Sequence, residues 1–260
     1  MKKALKILYS ALIFVFLYAP MVVLIVLSFN KSKSRAKWGG FTFDWYVKLF
    51  GDHIIMQALI NTLLIAFISA LVACIIGTIA ALAMNKMGAI AKSTMLGVTN
   101  IPMLNADIVT GISLMLLFIF FRFKFGFVSI LLAHITFNIS YVILSVLPRI
   151  KNMNPSNYEA ALDLGATPVY AFFKVILPDI WPGVLSGFLM AFTMSLDDFI
   201  ITHFTKGAGV DTISTKVYAQ LKKGIDPKMY ALSTLIFISV LVLLILINTL
   251  PAAGKKKKAK

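Results

Sequence analysis

The chain is short of acid, of sulfur and of any recognisable catalytic set. Of its 260 residues only 10 are Asp or Glu, against 25 Lys and Arg, which leaves a formal charge of +15. A single cysteine, Cys74, excludes an intrachain disulfide and a cysteine metal site. The three histidines, His53, His134 and His203, are scattered, and neither H-E-x-x-H nor a Ser/His/Asp order is present. No segment fits G-x-x-x-x-G-K-[ST], so the chain has no P-loop with which to hold ATP itself. Charged residues amount to 13% while hydrophobic residues reach 60%, far from the balance of a soluble domain.

What fills the chain is membrane-grade sequence. Four uncharged runs, 7–30, 53–85, 125–148 and 229–254, are long enough to cross a bilayer as helices. Two further apolar stretches carry acids: 93–121 holds Asp107, and 180–205 holds Asp197 and Asp198. Together they predict an all-α membrane protein of six transmembrane helices, at about 8–29, 58–84, 100–121, 126–147, 183–204 and 229–250, in one polytopic domain covering 1–260. Lys2, Lys3 and Lys6 precede a first run too long for a signal peptide and without a small-residue cleavage site, so it is read as an uncleaved span.

The acids inside these spans are the chemistry. On insertion scales a carboxylate in a spanning helix costs about 2.5–3.5 kcal/mol, so it needs a partner, a cavity or a function. Gly183, Gly187, Ala191 and Ser195 recur every fourth residue and form one small-residue face, suited to close helix packing or to a pathway wall. On an unbroken helix Asp198 lies about 20° from Ala191 on that face, with Asp197 turned about 100° from it. Asp198 should then point into protein or water, the alternative being that both acids sit at the outer interface and pair with Lys206. Asn100, Pro102 and Asn105 interrupt the stretch before Asp107 and predict a broken helix. Asp107 is then either an N-cap of the continuing half or a carboxylate lining a cavity at unwound backbone. Trp38, Phe41, Phe43, Trp45 and Tyr46 cluster around Asp44 after the first span. They read as an interfacial belt, or as ring faces that attract a cation, for which Trp45 and Tyr46 are the candidates.

A polar helix-forming segment, 148–182, is wedged between apolar runs. Asn154 can cap a helix whose first residue is Pro155, Gly165 offers the left-handed backbone that ends it, Thr167-Pro168 starts a second helix, and Pro178 is expected to close that one. Ala160 and Ala161 keep one face shallow, and Glu159 stands near the helix start. Glu159-Ala160-Ala161, Gly165 and Val175-Ile176-Leu177-Pro178 fall at the spacing of the EAA signature and resemble that motif of ABC-importer permeases, with Val175 where isoleucine is usual. The resemblance implies a cytoplasmic coupling helix docking on a separate ATPase. Basic residues divide almost evenly between the two sides and leave the orientation open, whereas a loop that meets an ATPase places both termini in the cytoplasm. The net charge is read as a lysine-rich protein meeting anionic lipid, with no nucleic-acid partner.

Further segments narrow the likeness. Tyr18-x-Pro20, Ser28-Phe29-Asn30, Gly40-Phe41-Thr42 with Trp45-Tyr46, Asp107-Ile108-Val109, His134-Ile135-Thr136-Phe137 and Phe192 through Asp198 are similar to the C-type permease of spermidine/putrescine importers, over about residues 8–250. This resemblance implies a type I ABC-importer permease for polyamines, half of a path completed by a second, different permease. It further implies two ATP-binding subunits, an extracytoplasmic substrate-binding protein, and no cofactor in this chain, ATP being bound by a partner subunit. Asp107, Asp197, Asp198, Ser195, Trp45 and Tyr46 would line the substrate path, and Glu159, Ala160, Ala161, Gly165, Leu177 and Pro178 would couple to the ATPase. The same architecture serving iron or thiamine, and an ATP-independent cation carrier, remain as alternatives. An anion importer is disfavoured, because no Arg or Lys lies within the spans.

Overall fold

The computed structural model describes residues 2–34, 36–224 and 226–256. Arg35, Lys257, Lys258 and Lys260, which are among the basic residues divided between the two sides, lie outside the described residues. The described chain is mainly helical, without a strand among the described residues beyond an isolated antiparallel bridge between Asn30 and Phe41. Four of its helices are long and apolar enough to cross a membrane, and a bent helix pair would make a fifth. Two compact units divide the chain, Met1–Met56 with Val217–Lys260, and Gln57–Lys216.

The first unit holds α1 (Lys2–Ser28), α2 (Asp44–Phe50) and α12 (Pro227–Lys256), with α1 and α2 both packed on α12. Pro20 lies inside α1, as membrane helices tolerate. The loop after α1 is organised by one buried side chain, Asn30. Its Oδ1 accepts from the Ser32 and Gly39 amides, its Nδ2 donates to the Ser34 and Lys37 carbonyls, and its own carbonyl accepts from Trp45 Nε1 at 2.7 Å. Gly40 takes φ +103 within this turn, a conformation open to glycine.

The second unit begins on α3 (His53–Lys86) and continues through α4 (Ala89–Leu104), α5 (Asp107–Phe120) and α6 (Phe127–Lys151). The polar segment supplies α7 (Pro155–Asp163) and α8 (Pro168–Ala171), followed by α9 (Leu177–Asp197) and α10 (Ile200–Thr205), and the division between the units falls within α11 (Ile213–Lys223). Its core is the seam of α3, α6 and α9, where Ala70, Ala73 and Ala81 meet Val142, Val146, Ile180 and Ala191. Lipid tails are as apolar as these side chains, so the packing rests on close approach. A Cβ on Gly77 would stand 2.8 Å from Val142 Cβ, and one on Gly187 would stand 3.1 Å from Val142 Cα. The small-residue face of α9 is therefore a packing face, with Gly183, Gly187, Ala191 and Ser195 all buried.

Two breaks and one continuous join shape this unit. The expected interruption before Asp107 is present, and α4 and α5 meet at 104°. A second break, not foreseen, falls at Asp198 and Phe199, where the expected span 183–204 divides into α9 and α10. The expectation that Pro178 closes a separate helix is corrected: residues Phe172–Ile176 form a π-helical turn that carries α8 directly into α9. Widening the turn changes which backbone groups pair, so a proline without an N–H fits in the first turn of the continuing helix.

Gly187→Leu should lower the unfolding temperature of the purified protein, a loss of about 1–3 kcal/mol from overpacking against the Val142 backbone. Gly97→Ala, with nothing within 4 Å of the added carbon, should not lower it.

Candidate functional site

The two breaks, at Asp198-Phe199 and Asn105-Ala106, deliver acids to one place. Asp107, Asp197 and Asp198 line a single cavity of about 380 Å³ with Pro102, Phe137 and Tyr141. Asp107 opens α5 without capping it. The N-cap position falls on Ala106, no side chain caps there, and the Asp107 side chain is left exposed. Asp197 is the last residue of α9, and Asp198 sits in the break itself at φ −59, ψ 121. A helical wheel therefore does not reach Asp198, yet its side chain does point into protein, only 9% exposed. Its Oδ1 accepts from the Ile201 amide at 3.2 Å, and its Oδ2 accepts from the Thr202 amide and hydroxyl, each at 2.8 Å. His134 Nε2 of α6 lies 3.3 Å from the same Oδ2. Three acids beside the rings of Phe137, Tyr141 and Phe199 have the chemistry to receive a cation.

Ser195 is buried one turn below, 2.5 Å from His134 Nδ1 and 3.2 Å from Ser69 of α3. Trp45 and Tyr46 belong to the other unit and are not among the residues that line the cavity. Trp45 is buried on its bond to the Asn30 carbonyl, with Lys48 Nζ 4.9 Å from its ring, and the Tyr46 hydroxyl lies 2.7 Å from Ser28 Oγ. Lys206 pairs with neither membrane acid. It lies 2.5 Å from Asp211, which also holds Lys216 at 2.7 Å. Among the described residues no group of three or more His, Cys, Asp or Glu is placed to hold a metal ion.

The second set of residues lies on α7 and beyond. Asn154 Oδ1 accepts from the Ser156 amide, Pro155 is the first helical residue, and Gly165 takes φ +85, so local sequence sets this helix as expected. Glu159, the single glutamate of the chain, is exposed together with Ala160, while Ala161 is half-buried. Leu164 is 89% exposed and Val169 67%, an apolar lip beside the helix end. Leu177 and Pro178 lie in the first turn of α9, joined to α8 through the π turn. Sequence reasoning missed His134 and Thr202 as partners of Asp198. They lie 64 and 4 residues away from it in sequence, and the tertiary fold supplies the only signal linking His134 to the break.

Residues 73–253 match the family described as binding-protein-dependent transport system inner membrane component. The chain is 35% identical to the spermidine/putrescine transport system permease protein PotC of Haemophilus influenzae, over 90% of this chain and 91% of that protein. It is 37% identical to the putrescine transport system permease protein PotI of Escherichia coli, over 95% of this chain and 90% of that one. Among solved structures it resembles a chain of a bacterial ABC transporter involved in the import of the acidic polysaccharide alginate. The TM-score there is 0.72 at 20% identity, covering 99% of this chain and 96% of the other, a likeness of fold. A chain of an amino acid ABC transporter aligns at TM-score 0.53 and 19% identity, over 78% of this chain and 98% of the other.

Outside the spans, the Lys228 ammonium 2.6 Å from Asp52 holds that carboxyl below its ordinary value. Burial pushes Asp211 up, but hydrogen bonds from Lys206 and Lys216 outweigh it and the net direction is down. A lowered carboxyl stabilises the fold above its unfolded value, near about 3.9, and the contribution is lost as pH falls through the lower folded value. Unfolding followed between neutral pH and pH of about 3 should show an acid-dependent loss, and Lys228→Met should remove the Asp52 share of it. An unchanged pH profile in that variant would show the pair to be inert.

Proposed function

Since the chain belongs to the family of binding-protein-dependent transport system inner membrane components, we propose that it is one of two different permease halves of an ATP-driven importer whose cargo is a polyamine. It is a multi-pass inner-membrane transport subunit and not an enzyme. The observation that carries the cargo is the cavity at the two helix breaks, where Asp107, Asp197 and Asp198 face one space beside aromatic rings. Carboxylates accept charge-assisted hydrogen bonds from ammonium groups, and a chain of methylenes suits Phe137 and Tyr141. The relatives' cargoes, spermidine and putrescine, have this chemistry.

In this reading the chain crosses the membrane six times, with spans at about 8–29, 58–84, 100–121, 126–147, 183–204 and 229–250. Both termini are cytoplasmic, and residues 148–182 form the coupling loop. An extracytoplasmic binding protein releases the cation between the two permeases, and the three acids offset its charge as it passes. Ser195 lies below them on α9, while Trp45 and Tyr46 act from the external loop, their polar atoms holding it to Asn30 and Ser28. Two ATP-binding subunits close and press on α7. The exposed Glu159, the left-handed Gly165 and the apolar lip of Leu164 and Val169 suit insertion into a groove of such a subunit, with Leu177 and Pro178 at the base of the moving span.

The test is ATP-dependent uptake of labelled spermidine and putrescine in cells lacking their own importer, given this chain with its neighbouring permease, ATPase and binding protein. Uptake should occur, and Glu159→Arg should abolish it by reversing the charge at the docking helix. Asp107→Asn should raise the KM by about tenfold at a similar maximal rate, since one charge-assisted contact is lost. An assembled complex that hydrolyses ATP but takes up no polyamine would discard the cargo. Normal uptake by Glu159→Arg would discard the docking helix.

A further inference from the structure

Asp198 is the end of a buried chain of hydrogen bonds that joins four helices. Asn138 Nδ2 donates to Ser69 Oγ at 3.1 Å, Ser69 and Ser195 hydroxyls lie 3.2 Å apart, and Ser195 Oγ lies 2.5 Å from His134 Nδ1. On the other side of the ring, His134 Nε2 lies 2.9 Å from Thr202 Oγ1, which donates to Asp198 Oδ2. Asn138, Ser69, Ser195, His134 and Thr202 are each more than nine-tenths buried, His134 to within 1%, and the Asp198 side chain is 9% exposed.

The proton count gives this chain a direction. A hydroxyl has one hydrogen to donate, and a carboxylate has none. Thr202 donates to Asp198, so it can only accept from His134, and Nε2 must carry the hydrogen. In the neutral ring Nδ1 is then an acceptor, which obliges Ser195 to donate to it. Ser195 must in turn accept from Ser69, although the Ala66 carbonyl, also 3.2 Å away, competes for that hydrogen. The sequence runs from an amide whose Oδ1 finds no partner among the described residues, through α3, α9 and α6, to a carboxylate in the cavity wall. Asp198 Oδ2 accepts from the Thr202 amide and hydroxyl, with the histidine ring 3.3 Å away, whereas Oδ1 accepts from the Ile201 amide and keeps acceptor capacity for a further donor.

We infer that His134 is a positioning residue: as the Nε2–H tautomer it fixes the orientation of the Asp198 carboxylate and makes that orientation depend on the register of α3, α6 and α9. The inference rests on the reading of the cavity as a cation path. It assigns to His134 no contact with cargo; its effect passes through Asp198. A shift of α9 against α3 would part Ser195 from Ser69, and a shift against α6 would part it from His134, so the acid is held only while the three helices keep this packing.

Two conservative variants separate this role from simple packing. The amide of Gln reaches the position of Nε2 and retains a donor toward Thr202 and Asp198, whereas the amide of Asn reaches only Nδ1 and retains the Ser195 contact. In the complete transporter reconstituted into vesicles with its partner subunits, His134→Asn should raise the KM for spermidine by about tenfold with maximal rate within about twofold, and His134→Gln should stay within about twofold of the wild type in both. Equal behaviour of the two variants, or a loss confined to maximal rate, overturns the inference. The tautomer is read separately, from the 15N-histidine spectrum of the same complex, with the His134 signals identified by their loss in His134→Gln. Protonated Nε2 is expected, and protonated Nδ1 overturns the inference whatever the cargo. A wild-type complex that imports no polyamine discards the proposed cargo and leaves the tautomer to decide this one.

Discussion

Val142 stands between two glycines, Gly77 of α3 and Gly187 of α9, and the packing of the second unit depends on that sandwich. In water a seam of alanine and valine would be held by the exclusion of solvent. In lipid the surroundings are equally apolar, and helices associate through close contact and internal hydrogen bonds. The glycines permit the contact, and the approach they allow brings Ser69, Asn138, Ser195 and His134 within bonding distance. Polar groups that would be expensive in a bilayer thus find partners because the backbones are near, the Asn138 Oδ1 excepted among the described residues.

The breaks at Asn105-Ala106 and at Asp198-Phe199 are the complement of that rigid seam. Unwound backbone in a membrane is tolerated where it is buried in protein or lines a cavity. Here both breaks meet one cavity, and each contributes acid to its wall. The acids differ in how firmly they are held. Asp198 is locked by its hydrogen bonds to Ile201 and Thr202, while Asp107, exposed in the first turn of α5, makes no capping bond. One cavity therefore combines a fixed charge with a more accessible one.

Local chemistry was legible in the sequence and tertiary chemistry was not. The cap at Asn154, the proline at the head of α7 and the left-handed Gly165 are written within a few residues of where they act. The break before Asp107 was likewise announced by Asn100, Pro102 and Asn105. The break at Asp198 gave no such warning, because two adjacent acids flanked by apolar residues leave helical periodicity intact, and Phe199 is no helix breaker. Pro178 misled for a related reason: proline marks the end of a helix only if the preceding turn is α-helical, and here it is a π turn. His134 and Ser195 are 61 residues apart, and no pattern along the chain pairs them. The resemblance named the acids as a set, while the partners that hold Asp198 required the folded chain.

The π turn at Phe172–Ile176 also settles how stiff the connection is between the polar loop and the acids. Residues Pro168–Asp197 run as one helix of 30 residues, with no coil between the second loop helix and the far end of α9. At about 1.5 Å per residue this rod is about 45 Å long. Its geometry is that of an oar: tilting it by about 5° about the Pro168 end sweeps Asp197 through about 4 Å, comparable to the width of an ammonium group and its contacts. Small angular motion at the polar end of the rod is thereby converted into displacement on the scale of the acid-lined cavity at its other end.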